Sequence, residues 1–177
     1  RDVLILTGDA AESLEVMYPY QRLLEEGYEV DIAAPSKKKL QFVVHDFVEG
    51  FDTYTEKLGY TWDADAALAD VTPSDYVALV IPGGRAPEYI RNDADAQRII
   101  KAFFGDSRPV AHLCHGPLAV AAAGVLSGRR TAAYPALELD DQHVQLGSSQ
   151  VVEEFPDEIV ASAPTLPHLC CRPDRHQ

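Results

Sequence analysis

Cys114 closes the apolar run Pro109–Leu113 and is followed at once by His115, Gly116 and Pro117, then by the Ala-rich run Leu118–Gly124. Chains read this way where a buried strand turns sharply into a helix. Such a turn lifts its residue to the carboxyl end of the sheet, as it does the serine of a Gly-x-Ser-x-Gly segment. A thiol there lies beside a helix N-terminus, whose positive dipole end favours the thiolate, so Cys114 is expected to be a low-pKa nucleophile. The competing role is that of a small buried hydrophobe, which free cysteines often fill.

Other residues could serve that thiolate. Glu12 and Glu15 lie one helical turn apart and share a face, but spacing alone does not say which points at sulfur. A carboxyl kept protonated by burial can donate a hydrogen bond to a thiolate. Gly83 and Gly84 follow a strand, so their backbone can approach a ligand with N–H groups unobstructed. The N–H groups of Gly84 and His115 are candidates to receive the oxyanion formed when a carbonyl is attacked. His115 can move protons if a carboxylate orients it, and Glu88 follows the glycine pair closely. The ordinary alternatives are a simple Gly-Gly turn, solvated glutamates and a structural histidine.

Positioning these groups is the task of the elements around them. Val3–Thr7 reads as a strand buried on both faces, and Glu12–Glu26 as a helix closed by Gly27, with Pro19 expected to separate or kink its start. Val30–Ala34 is the second strand, making a right-handed βαβ unit. Tyr76–Ile81 is the next clear strand; Asp93 then caps a helix reaching about Phe104 with Ile99, Ile100 and Phe103 inward, and Pro109–Leu113 follows as a strand. Parallel strands alternating with helices predict a three-layer α/β sandwich, whose ligands bind beyond the carboxyl ends of the strands. The turn after Thr7, the Gly83-Gly84 loop and Cys114 all lie at that end.

Residues 36–75 interrupt this order. Ser36–Lys39 reads as an exposed hairpin tip and Leu40–His45 as a weakly alternating strand. Phe47–Trp62 has aromatics without a clean period and reads as short strands and loops at the sheet edge. Its aromatics are expected chiefly to pack under a long loop, with a substrate entrance or an oligomer contact as the alternatives. His45 and Asp46 form one weak candidate pair.

Composition narrows the function classes. A chain of 177 residues with 46% hydrophobic and 24% charged residues fits one ordinary globular domain, taken here as 1–177. A net charge of −13 argues against nucleic acid or an anionic membrane as partner. No run approaches the roughly 20 apolar residues of a membrane span, and no signal-peptide pattern opens the chain. Because it starts at Arg1 rather than Met, a few residues are expected to be missing. Cys114, Cys170 and Cys171 make no disulfide framework, and metal-ligand spacing is absent, so a reducing cytoplasm and no metal are expected. Without Gly-x-Gly-x-x-Gly at the first turn, no dinucleotide cofactor is expected.

Four motifs in order resemble the DJ-1/PfpI superfamily, flavodoxin-like relatives of the class I glutamine amidotransferases. Ala111–Pro117 resembles the family's nucleophile turn, Glu12–Tyr20 its first helix, Ile81–Glu88 its glycine loop, and Ala133-Tyr134-Pro135 its later tyrosine strand. The resemblance runs from Val3 to about Ala161. It implies a flavodoxin-like fold, Cys114 as nucleophile, Glu15 as the acid touching it, Glu12 beside them and Tyr134 lining the pocket. It further implies His115 as partner base, with Glu88 completing a Cys-His-Glu triad across a subunit interface, so that a homo-oligomer, at least a dimer, is expected. Val43–Phe47 with Thr53-Tyr54 resembles a longer subgroup that includes plant two-domain members with glyoxalase III activity. The tail departs from the family: Pro164, Pro167 and Pro173 interrupt 162–177, where a closing helix is usual.

Three functions follow from the resemblance and the residues together. The leading one is cofactor-free conversion of small reactive aldehydes, methylglyoxal to lactate or deglycation, by Cys114 with Glu15 or His115 moving protons. A cysteine peptidase using Cys114, His115 and Glu88 is the alternative, and a non-enzymatic redox sensor through oxidised Cys114 is the third.

Overall fold

Buried apolar runs set the centre of the molecule. The computed structural model describes residues 2–131, together with 133, 137, 145, 146 and 160–162. Strands β1 (Asp2–Leu6), β2 (Glu29–Ala34), β5 (Ala66–Ala67), β6 (Tyr76–Ile81), β7 (Val110–His112) and β10 (Val160–Ser162) form one sheet. Its order is β10-β7-β6-β1-β2-β5, and every neighbouring pair is parallel. Val3, Leu4, Ile5 and Leu6 are all buried, as a central strand covered on both faces requires.

Leaving aside the two-residue edge strand β5, the sheet runs outward from β1 in two directions. It goes to β2 on one side and to β6, β7 and β10 on the other, which is the flavodoxin-like order. Right-handed crossovers in opposite directions place α1 (Ser13–Glu25) on one face and α3 (Ala94–Gly105) on the other. The chain is therefore an α/β protein of flavodoxin-like fold, and its switch point lies between the carboxyl ends of β1 and β6. Ligands of such sheets bind there.

The helices form where their caps and faces direct. Asp93 Oδ1 accepts from the backbone N–H of Asp95 (2.8 Å) and Ala96 (3.0 Å), a cap of about 1 kcal/mol. Ile99, Ile100 and Phe103 are fully buried beneath it, each contributing roughly 1.5–3 kcal/mol by burial. Helix α1 runs unbroken through Pro19, against the expected separate or kinked start. Proline removes one N–H there, but the stripe Ser13, Val16, Met17, Tyr20 and Leu23 still faces the core and holds the helix in place. Leu14 and Leu24 lie on its outer side.

The segment 36–75 differs most from its sequence reading. Strands β3 (Lys39–Asp46) and β4 (Thr55–Asp63) form one long antiparallel hairpin, rather than short strands and loops. Its turn lies at 47–54, so Ser36–Lys39 is the exposed entry to β3 and not a hairpin tip. β4 lacks a hydrophobic period because nearly every residue faces outward or is half-buried. Trp62 packs edge-on against Tyr20, but Phe47, Phe51 and Tyr60 are exposed, so the aromatics do not as a group pack under a loop. At its base the hairpin enters the core through Leu40 and Phe42. There it also pairs with the chain after β1, through Ala10 N–H to the Gln41 carbonyl (2.8 Å) and Val43 N–H to the Ala11 carbonyl (2.9 Å). Short strands β8 (Arg130–Thr131) and β9 (Gln145–Leu146) pair in parallel beside the main sheet. The atypical tail beyond Ser162 lies outside the described residues.

Candidate active site

The chain leaves β7 at His112 and turns at Cys114, whose φ of +50° is left-handed and strained for a residue with a Cβ. The short helix α4 (Pro117–Ala122) begins three residues later. With only six residues, α4 is not what holds the sulfur. The donors at Cys114 Sγ are instead two loop groups, the backbone N–H of Gly84 and that of His115.

Glu12 and Glu15, equivalent by spacing, have separate tasks. Glu12 is the N-cap of α1: its Oε2 accepts from the N–H of Leu14 (2.7 Å) and Glu15 (3.0 Å). Glu15, one turn on, reaches the thiol. Its Oε2 accepts the Gly83 N–H at 2.6 Å, and its carboxyl group shares a hydrogen bond with the Cys114 side chain. Gly83 has to be a glycine, since a Cβ there would lie 2.5 Å from Cys114 Cβ and 2.7 Å from Glu15 Oε2. Gly84 adopts φ +71°, and its carbonyl accepts from His115 Nδ1 at 3.1 Å, which fixes the tautomer with the proton on Nδ1.

Electrostatics couple the pair. Burial pushes the Glu15 carboxyl up to about 7, with the Glu12 charge adding to burial and the Gly83 N–H opposing it. Burial, then the negative charge on Glu15, push the Cys114 thiol up to about 12, against the pull of the Gly84 and His115 N–H groups. The expectation of a thiol depressed by its turn alone therefore does not hold while Glu15 is a carboxylate. The pocket tolerates one negative charge, not two, and a thiolate forms readily only when Glu15 carries the proton.

The other candidates divide. His115 is buried beside the pair, while Glu88 is exposed on the short helix α2 (Ala86–Ile90). Tyr134 lies outside the described residues, as do Cys170 and Cys171. His45 and Asp46 belong to β3; Asp46 pairs with Lys57, and His45 stacks on Tyr54. Among the described residues, no group of three or more His, Cys, Asp or Glu is arranged to hold a metal ion.

Two features escaped the sequence. His112, also buried, hydrogen-bonds Thr131 Oγ1 through Nε2 at 3.1 Å, and burial pushes it down to about 4. Burial favours its neutral form at pH 7, and its place in a short buried strand was the available sign. Arg85, next to Gly84, forks onto Glu56 of the hairpin, a contact no local pattern announces.

The DJ-1/PfpI family model matches residues 1–167. The chain belongs to the DJ-1/PfpI family. DJ-1 homolog D of Arabidopsis thaliana is 44% identical over 157 residues, covering 87% of this chain but 39% of that protein. A deglycase of Pyrococcus abyssi is also 44% identical, covering 78% of this chain and 75% of its own length. The deglycase PfpI of Pyrococcus furiosus is 34% identical, with 90% and 93% covered. Among solved structures, the ThiJ/PfpI domain protein of Brachyspira murdochii superposes with a TM-score of 0.72 at 19% identity, covering 93% of this chain and 88% of that one. A two-domain protein of Anabaena variabilis with DJ-1/ThiJ/PfpI-like and ferritin-like domains gives 0.73 at 22% identity, with 92% of this chain and 43% of that one covered. Among the described residues, no helix is long and apolar enough to cross a membrane.

Proposed function

We propose that the chain is a cofactor-free cysteine enzyme of small reactive aldehydes, converting methylglyoxal to lactate or removing early sugar-aldehyde adducts. The observation that carries this reading is the Glu15–Cys114 pair, one carboxyl near neutrality in hydrogen-bond contact with one thiol. Relatives named deglycases support it.

The proton of the pair moves from sulfur to Glu15, and the thiolate adds to the aldehyde carbon. The carbonyl oxygen takes up that proton to give a hemithioacetal, and the Gly84 and His115 N–H groups, released from the sulfur as its charge is consumed, are the donors for the developing oxyanion. Glu15, again a carboxylate, removes the hydrogen on C1 as a proton, and the electron pair passes into an enediol. Return of a proton to C2 gives the lactoyl thioester. Water then releases lactate and restores the thiol. C1 is oxidised as C2 is reduced, so no outside oxidant is needed. Positioned general acid–base groups of this kind contribute about 10²–10⁴-fold.

The reading includes a homodimer or larger assembly in which Glu88 of one chain faces His115 of another. Its exposure on α2 is what such a role needs before assembly. Light scattering after size exclusion, with activity per chain followed on dilution, tests this; a fully active monomer removes Glu88 from the mechanism.

The deciding experiment assays one preparation on methylglyoxal, a glycated thiol and a fluorogenic peptide, beside Cys114→Ala. Aldehyde or adduct turnover that vanishes in the variant is expected. Cys114-dependent peptide cleavage without aldehyde turnover overturns the reading in favour of a peptidase. Peptide cleavage that survives in the variant marks a contaminating protease. A protein inactive on all three, yet oxidised at Cys114 by peroxide, overturns it in favour of a redox sensor.

A further inference from the structure

The hairpin has a contact with the site that its sequence gives no reason to expect. Glu56 of β4 stands directly across from His45 of β3 in the strand register. Its Oε2 accepts from Arg85 Nε at 2.7 Å and its Oε1 from Arg85 Nη2 at 2.9 Å, a two-pronged fork. His45 Nε2 lies 3.5 Å from Glu56 Oε2, and the His45 ring stacks on Tyr54 with centroids 4.3 Å apart. The glutamate is thus half-buried, with a side-chain exposure of 22%, against 53% for Arg85. Arg85 holds its carboxyl below the usual range.

Arg85 is the residue after Gly84, and its own N–H donates to the Ala10 carbonyl at 2.9 Å. The two residues before it carry three bonds of the site: Gly83 N–H to Glu15, Gly84 N–H to the sulfur, and the Gly84 carbonyl to His115. A loop built around two glycines resists little by itself, because neither has a side chain to pack. Its position rests on what grips its ends. β6 holds one end; the Arg85 N–H bond to Ala10, the buried start of α2 at Ala86 and Pro87, and the Arg85 fork hold the other.

We propose that Glu56 is a positioning residue. Through Arg85 it holds the Gly83-Gly84 loop at the distance from Cys114 and Glu15 at which its N–H groups support negative charge on the pair. An isolated exposed ion pair would do little. This one differs because it is forked, walled on one side by His45, and attached to the loop whose displacement the site feels most.

The readout is the ionisation of Cys114 rather than turnover, so the result does not depend on which substrate the enzyme uses. Rates of iodoacetamide labelling at Cys114 are measured against pH in Glu15→Gln and in Glu15→Gln/Glu56→Gln. The Glu15→Gln background removes the carboxylate charge and leaves the loop N–H groups as the chief charge stabilisers. Loss of the fork is expected to raise the labelling midpoint by about 0.5–1 pH unit, a three- to tenfold loss of rate at neutral pH. Glu56→Asp is expected to recover part of the shift, and Arg85→Met to reproduce it from the other side. Superimposable labelling profiles, with or without a lower melting temperature, overturn the proposal and leave the fork a surface tie. If Glu56→Gln does not fold, the Arg85→Met profile decides in the same way.

Discussion

The Gly83-Gly84 loop and the hairpin turn at 47–54 both follow a strand, and both contain glycine. A Cβ on Gly83 would strike Cys114, Glu15 and the His115 backbone together. A Cβ on Gly50 would meet nothing within 4 Å, although its φ of +82° is left-handed. One glycine is required by its neighbours and the other only by its own backbone. The first loop is part of a machine with fixed clearances, whereas the second is a bend between two exposed strands. A glycine in sequence therefore says little until the structure shows what surrounds it.

The sharpest way to break this contrast is Gly83→Ala. It is expected to lower turnover by about 10²-fold or more, since displacing reacting groups by about 1 Å costs that much. If activity persists, the loop has slack that the clearances deny. Glu15→Gln comes next, with turnover down by roughly 10²-fold and Cys114 labelling retained. The same variant is expected to be more stable at pH 8. Folding raises the Glu15 pKa from 4.5 to about 7, so the folded state binds more protons across that interval and loses stability as pH rises through it. A neutral amide escapes that penalty, for a gain of about 1–3 kcal/mol by urea denaturation at pH 8. Wild type and variant should converge below about pH 4.5.

On the hairpin side the effects shrink. Gly50→Ala is expected to cost about 1 kcal/mol through its left-handed backbone and to leave turnover unchanged. Phe51→Ser removes an exposed ring and should shift stability by no more than about 0.5 kcal/mol. A larger loss of stability for Phe51→Ser, or one that depends on protein concentration, would show that the turn is covered in solution.

The same contrast explains what the sequence revealed. β1, β6 and α3 were legible because they are buried, and burial writes apolar runs or a helical stripe with a capping Asp93. β4 was not legible, since its residues face outward and carry no periodic signal. Cys114 was found from the abrupt change from apolar strand to His-Gly-Pro. The choice of Glu15 over Glu12 came from the family resemblance alone; geometry then gave it a reason, because Glu12 is committed to capping α1. The thiol's raised pKa could not be read locally, since burial and a carboxylate from another element set it. Arg85 with Glu56 was hidden for the same reason: the partners belong to different elements and share no motif.

The short segment Ala10–Glu12, bonded to Gln41, Val43 and Arg85 and starting the helix that carries Glu15, also has a kinetic consequence. Its partners come from two regions distant along the chain, β3 and the glycine loop, and each contact closes a long loop before it is rewarded. The β1-α1-β2 unit can form from near neighbours, whereas this junction must wait for the hairpin and the glycine loop to arrive. Refolding should thus pass through a stage with the sheet core buried and the thiol still in open water. Pulse alkylation during refolding should still label Cys114 after the far-ultraviolet circular dichroism has reached its native value, and lose that label as the fluorescence of Trp62 on β4 becomes native. In that interval the thiol of a newly made chain is most open to electrophiles.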